Sequence, residues 1–564
     1  MTAIPQITRR CLPAAVGLLL LAIILYLPAR HYGYIGLDDT TYVEVNPWVL
    51  RGLSGESIRW AFTTPHEAYW IPLTWISFMA DVMFCGPGPA GHHLANILLH
   101  AINVLLLAAL LIRFGVGRTA VLLVSALYAV HPVHVEPVVW VTGRKDLLGA
   151  FFWLVTIGMY REAGSARGWI ALLGTAAASM CKPLAMTLPL VLLAIDSTRD
   201  ANLRRGIIRL VPAFLVGALI GWIAFTLQSS EGATRAPTVT ELLGNIRAAI
   251  QNVVWYAGKI VWPVGLGPEY PLSATEQIPR LAAIPIGLAL VLGAGWISLR
   301  DRTIRVGLVW CAAALAPVIG FLQVGTVGVA DRFLYVPMMG LALAGAVLLD
   351  RVPARRRSLV LAVAAIAVVA LFGQATQQRA RWESPIALFG SVVGRYPGHA
   401  LAHNYLATAL ASEGRMAEAR AHFEETVRLD PDHAEAHVNL AVALLNTGEW
   451  ERADSLLDRA IAFKPDLPEA WFNRGLLRAR QGRGADAAVA FRRVLDAAQT
   501  DPDLQLAACI ELARTGDVDG ATVALRRWLT KQPNRTLAIR RLPDYFSQAG
   551  VPALGARLRA EASP

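Results

Sequence analysis

The chain has 564 residues, of which 55% are hydrophobic and only 16% charged, with a formal net charge of +11. That length excludes one small domain, and a charged share well under the roughly 25% of soluble proteins excludes an ordinary soluble enzyme. Much of the arginine excess lies in short loops between apolar runs, where membrane topology accounts for it better than nucleic acid does. Five scattered cysteines (Cys11, Cys85, Cys181, Cys311, Cys509) form no CxxC or metal-ligand spacing, so neither a disulfide framework nor a zinc site is expected.

The first apolar run, Cys11 to Ala29, follows Arg9 and Arg10. It is long for a signal-peptide core and lacks a clear small-residue cleavage site, so it reads as a retained first span. Further candidates are 92–112, 119–136, 146–160, 168–181, 183–197, 207–227, 280–299, 304–322, 333–350 and 358–375. A helix needs roughly 20 apolar residues to cross a bilayer, which gives about eleven spans. The loops RFGVGR (113–118), REAGSARG (161–168), STRDANLRRG (197–206), LRDRTIR (299–305) and DRVPARRR (350–357) are basic. With a cytoplasmic N-terminus they alternate as the positive-inside rule requires. Residues 238–264 carry Glu241, Arg247 and Lys259, and are expected to form an interfacial or re-entrant helix with Trp255, Tyr256 and Trp262 at headgroup level.

This topology puts the large loop 31–91, the loop near 131–145, the turn at Lys182, the 228–279 region and the turn before Asp331 on one outer face. An odd span count puts everything after residue 375 there too.

Beyond 375 the charge density rises, and a period appears. Gly414, Gly448, Gly482 and Gly516 are spaced by 34 residues, as are Ala419, Ala453, Ala487 and Ala521, and Phe423, Leu457, Phe491 and Leu525. A period of that length resembles the tetratricopeptide repeat, two antiparallel helices per unit. The fold class is therefore all-α, a polytopic membrane domain (1–375) followed by an α-solenoid. A junction with a half-repeat (376–399) leads into four repeats (400–535), and residues 536–564 are expected to cap the far end. A concave protein- or peptide-binding groove is the functional expectation for the repeats.

The outer face gathers chemistry. In GLDDTTYVEVNPWV, Asp38 and Asp39 lie just past the first span. One of them could simply cap a helix near Thr40, but a pair of acids at a membrane boundary, beside other charged groups, favours a functional role. HPVHVEPVVWVTGRKDLLGAFF (131–152) supplies His131, His134 and Glu136, then Arg144 and Lys145. The two histidines lack a third local ligand, so no metal site is assigned to them. Arg144 and Lys145 could anchor a helix end or bind an anionic group. Lys182 in MCKPLAM and Arg332 in ADRFLYVP add cations. In RWAFTTPHEAYWIPLTWISFMAD (59–81), His66 and Glu67 could face the site. The aromatics Trp60, Phe62, Tyr69, Trp70 and Trp75 suit the interface better than sugar stacking.

In their order and spacing, these motifs and the repeats together resemble the GT-C glycosyltransferases. More closely they resemble the TMTC family of transmembrane, tetratricopeptide-repeat O-mannosyltransferases and its bacterial relatives. The resemblance covers nearly the whole chain. It implies a GT-C-type membrane domain and an inverting transfer of a sugar, such as mannose, from a polyprenyl-phosphate donor to a hydroxyl, expected on protein. It also implies Asp38 as general base with Asp39 assisting, a choice the local sequence leaves open. Arg144, Lys145, Lys182 and Arg332 become candidates for the donor phosphate, and His131, His134, Glu136, His66 and Glu67 candidates for lining the site. No cofactor is implied beyond the lipid-linked sugar, and a divalent metal stays undecided. One departure is CKP at 181–183, where relatives often carry Lys followed by Glu. The implied location is the cytoplasmic (inner) membrane, with the repeats on the outer, periplasmic side. Two alternatives stand beside this reading, a non-enzymatic membrane-anchored repeat scaffold and the same chemistry on a glycan or lipid acceptor.

Overall fold

A computed structural model describes residues 4–199, 203–230, 239–271, 274, 280–320, 328–497, 501–531, 542 and 544–562. Parts of several expected segments lie outside the described residues. These are 200–202 of a basic loop, most of 231–238 and 272–279 on the outer face, 321–327 before Asp331, and 498–500 and 532–541 of the repeats and cap. Two compact units emerge, Met1–Leu388 and Phe389–Pro564. The described residues are helical, apart from loops and one isolated bridge between His66 and Tyr69.

Among the described residues of the first unit, five helices are long and apolar enough to cross a membrane: Leu12–His31, Pro89–Arg113, Leu203–Ser229, Ala282–Arg300 and Ala354–Arg381. A bent pair, Arg118–Val130 and Pro132–Val139, makes up to six. These coincide with six of the eleven expected spans. The remaining candidates are helical but shorter or charged, as in Arg167–Cys181, Arg302–Leu315 and Pro337–Asp350. A 14-residue helix rises about 21 Å, short of the roughly 30 Å hydrocarbon core. Prolines break the runs, with Pro132 and Pro183 each opening a 3-10 turn.

The segment expected at the interface forms the helix Val239–Val261. Its aromatics divide. Trp262 is exposed, whereas Trp255 and Tyr256 are buried, and Trp255 stands edge-on to Tyr270. Trp255 and Tyr256 are thus packing groups, not headgroup anchors. The first loop also departs from expectation. Trp60 and Trp75 do not lie in an interface but join Tyr42, Ile71, Phe78 and Val141 in a small core. The short helices Pro47–Leu50, Gly55–Thr63 and Pro72–Cys85 surround that core, the first two capped by Asn46 and Ser54. The loop is therefore a folded platform.

The last membrane-type helix, Ala354–Arg381, runs straight through residue 375, so the expected boundary there falls inside a helix. In the second unit, helix pairs begin with Ala400–Ser412 and Met416–Leu429 and repeat through Val518–Lys531. The periodic glycines turn between the helices of each pair with φ of 77°, 83°, 73° and 100°, values that only glycine adopts freely. The periodic alanines are all fully buried, where a larger group would force the helices apart. Ala453→Leu is accordingly expected to cost about 1–3 kcal/mol of stability by overpacking. A lowered melting temperature in circular dichroism would show it, and an unchanged one would refute it.

A second regularity was not read from the sequence. The ring N–H of His403 donates to the Pro397 carbonyl (3.0 Å), that of His437 to Pro431 (2.8 Å), and the indole of Trp471 to Pro465 (2.7 Å). The first helix of each of the first three units is thus bonded to the loop that precedes it. At the far end, Gly550 repeats the 34-residue turn with φ 77°. Phe546, Leu554 and Leu558 there close the core formed with Leu525 and Trp528.

Candidate active site

The two adjacent acids have different environments. Asp39 is fully buried; its Oδ2 accepts the Ile35 N–H (3.2 Å) and its Oδ1 the Thr142 N–H (3.1 Å). It pins the start of the first loop to the turn before Arg144. Removal from water pushes its carboxyl up, from 3.8 to about 7. Both its oxygens are engaged by the backbone, an arrangement suited to positioning. Asp38 instead keeps 38% of its side chain exposed and pairs with Lys145 Nζ at 2.9 Å.

The raised value of Asp39 has a stability consequence. The folded state holds the proton more tightly than the unfolded chain, so this contribution is present below about pH 4 and lost as pH rises through about 7. Asp39→Asn is expected to flatten that part of the decline. The difference between the wild-type and variant melting-temperature profiles across this window tests it, and parallel profiles would reject it.

Lys145 was expected at a phosphate. It is sheltered, with the rings of Tyr42, Tyr69 and Trp140 centred 5.2, 5.3 and 5.1 Å from its nitrogen. Rings stabilise a cation without neutralising it, so Lys145 stays charged as the partner of Asp38. Trp140 is shared, because the Arg332 guanidinium lies 5.3 Å from the same ring. Phe333 is shared in turn by Arg332 (5.2 Å) and Lys182 (5.4 Å). Aromatic rings therefore link Lys145, Arg332 and Lys182 into one group.

Arg332 also binds Glu136, through its guanidinium and through its backbone N–H (2.8 Å), and donates to the Pro268 carbonyl at 3.2 Å. Lys182 pairs with Asp146. These two cations stand at a partly open pocket, whose walls include Gly149, Trp153, Leu184, Val318, Val336 and Pro337. The pocket is apolar within and cationic at one side.

Arg144 does not join them. Only 3% of its side chain is exposed, and its guanidinium is engaged by Asp81 (2.8 Å), the His92 carbonyl (2.9 Å), Ser77 (3.3 Å) and Asn96. Where a phosphate contact was expected, the structure shows a guanidinium fully engaged in bracing the first loop. His131 donates to the Ile260 carbonyl (3.0 Å), and buried His134 packs on Tyr128 and Tyr335. Among the described residues no three His, Cys, Asp or Glu side chains are grouped to hold a metal. His66 bonds to the Thr41 carbonyl (3.0 Å) beneath Trp60 and Trp75, and Glu67 is exposed at the tip of the adjoining turn. Of the expected lining residues, Glu136 alone contacts the cation group directly, through Arg332.

Comparison with known proteins adds a lineage. Two tetratricopeptide-repeat models match residues 371–434 and 410–473. A protein O-mannosyl-transferase of Caenorhabditis elegans is 26% identical over 447 residues, 73% of this chain and 62% of that protein. Human TMTC4, also a protein O-mannosyl-transferase, is 27% identical over 65% of this chain and 58% of its own length. Drosophila Tmtc2 reaches 33% over 201 residues, 32% of this chain and 21% of that one. The curated relatives are TMTC protein O-mannosyl-transferases. The chain thus spans about three-fifths of the C. elegans and human TMTC proteins it matches. Among solved structures, a TPR protein of Thermus thermophilus is 22% identical, covering 32% of this chain and 94% of that one, with a TM-score of 0.26.

Proposed function

We propose that this chain is a membrane glycosyltransferase that moves a sugar from a polyprenyl-phosphate donor to a hydroxyl on a protein. The observation that carries this reading is the apolar pocket with Arg332 and Lys182 at its charged side, ring-linked to the Asp38–Lys145 pair. A polyprenyl phosphate has the matching character, an apolar chain ending in an anion. The names of the TMTC relatives support mannose as the sugar and protein as the acceptor.

In the proposed reaction, the Asp38 carboxylate takes the proton of the acceptor hydroxyl as its oxygen attacks the anomeric carbon. The bond from that carbon to the phosphate oxygen breaks, and polyprenyl phosphate leaves with the electron pair. Attack opposite the leaving group inverts the anomeric centre. Negative charge grows on the phosphate in the transition state, and Arg332 and Lys182, held in place beforehand by Glu136 and Asp146, are positioned to meet it. Lys145 holds Asp38 in orientation. The repeats would present the acceptor, on the outer side of the cytoplasmic membrane.

The test incubates the purified chain with polyprenyl phosphates bearing different sugars, and with protein, glycan and lipid acceptors. Transfer to protein supports the reading. Transfer only to glycan or lipid would change the acceptor class, and no transfer from any donor would favour the scaffold alternative.

A further inference from the structure

The segment Gly267–Tyr270 is held against Asp331 and Arg332 by three hydrogen bonds. The Gly267 N–H donates to Asp331 Oδ2 (3.0 Å), the Tyr270 hydroxyl to Asp331 Oδ1 (2.7 Å), and Arg332 to the Pro268 carbonyl (3.2 Å). Tyr270 is further fixed by Trp255 at 4.8 Å and by Lys259, 5.3 Å from its ring. The residue inside this clamp is Glu269. Its own carboxylate makes no hydrogen bond or ion pair among the described residues, and it is partly exposed. Pro268 beside it is bonded to Arg332, which shares the Trp140 ring with Lys145, the partner of Asp38. Burial raises the Glu269 carboxyl from 4.5 to about 7.

A firmly mounted carboxyl without a partner among the described residues, next to the proposed phosphate cation, is placed for a ligand rather than for the fold. The positions near Asp38 and Arg332 bracket the group being transferred. A sugar there offers hydroxyl donors, and a carboxylate offers up to four acceptor sites in one plane.

We propose that Glu269 binds hydroxyl groups of the donor sugar and helps select that sugar. This rests on the lipid-linked-sugar reading of the same site. It separates the labour of the cleft, with Arg332 and Lys182 facing the phosphate, Asp38 facing the acceptor, and Glu269 facing the sugar.

The test measures binding of polyprenyl phosphate, bare or bearing mannose, glucose or N-acetylglucosamine, to the full chain in nanodiscs. Wild type is expected to bind one sugar-bearing lipid more tightly than the bare phosphate. Glu269→Ala is expected to reduce that advantage about ten- to a hundredfold, the loss of charge-assisted hydrogen bonds. Affinity for bare polyprenyl phosphate should not change. Glu269→Gln keeps the shape and should lose part of the advantage, at an unchanged melting temperature, which guards against a folding artefact in the alanine variant. If both variants retain the sugar's full advantage, or wild type shows none, the proposal falls while the phosphate site stands. If wild type binds no polyprenyl phosphate at all, the functional reading falls with it.

Discussion

Asp38→Asn is expected to slow sugar transfer by about 10²–10⁴-fold, the range over which a positioned general base contributes. The substitution preserves shape and removes only the ability to take a proton. It leaves Lys145 without its counter-charge, but that lysine remains among the rings of Tyr42, Tyr69 and Trp140. Since Asp38 is partly exposed, the ion pair contributes modestly to stability, and the melting temperature should move little. Donor binding should persist, so the loss should appear in kcat rather than in KM. Equal transfer by wild type and variant would remove Asp38 as the base.

Arg332→Met is expected to abolish transfer and to destabilise the chain as well. Removing one partner of a buried pair leaves the other charge stranded, at a cost of about 3–5 kcal/mol. Here the stranded group is Glu136, only 2% of whose side chain is exposed. The two effects separate in the double variant Glu136→Gln with Arg332→Met, which has no stranded charge. Its melting temperature should recover most of the loss, whereas transfer should stay absent because the phosphate still lacks its cation. Recovery of transfer in the double variant would reduce Arg332 to a structural partner of Glu136.

What the sequence disclosed follows from the range of the signals involved. The repeats were legible because a 34-residue period is written locally, and Gly448 with Ala453 in one unit forecasts Gly482 with Ala487 in the next. Asp38, Lys145, Lys182 and Arg332 stood out as charges in apolar sequence, and the structure gathers them. Arg144 and Lys145, adjacent in the chain, could not be told apart, because different directions from one helix start send one to Asp81 and the other to Asp38. Asp38 and Asp39 posed the same difficulty, and burial alone distinguishes them. The uninterrupted length of the helices was less legible, because an apolar run records hydrophobicity, while breaks at Pro132 and Pro183 set helix length. Trp140, Phe333 and Glu269 were passed over because their roles depend on partners far along the chain. A glutamate after Pro268 carries no local mark until Asp331 and Arg332 hold its neighbours.

The bonds from His403, His437 and Trp471 back to the proline carbonyls each span six residues and recur in three successive units. A duplication or deletion of one whole 34-residue block among these three would leave each remaining donor facing a proline carbonyl, whereas an insertion of another length within a loop would sever one. Such a segment can change its reach in discrete steps over evolutionary time, as beads are added to a string, and the residues of the catalytic cleft need not change when it does.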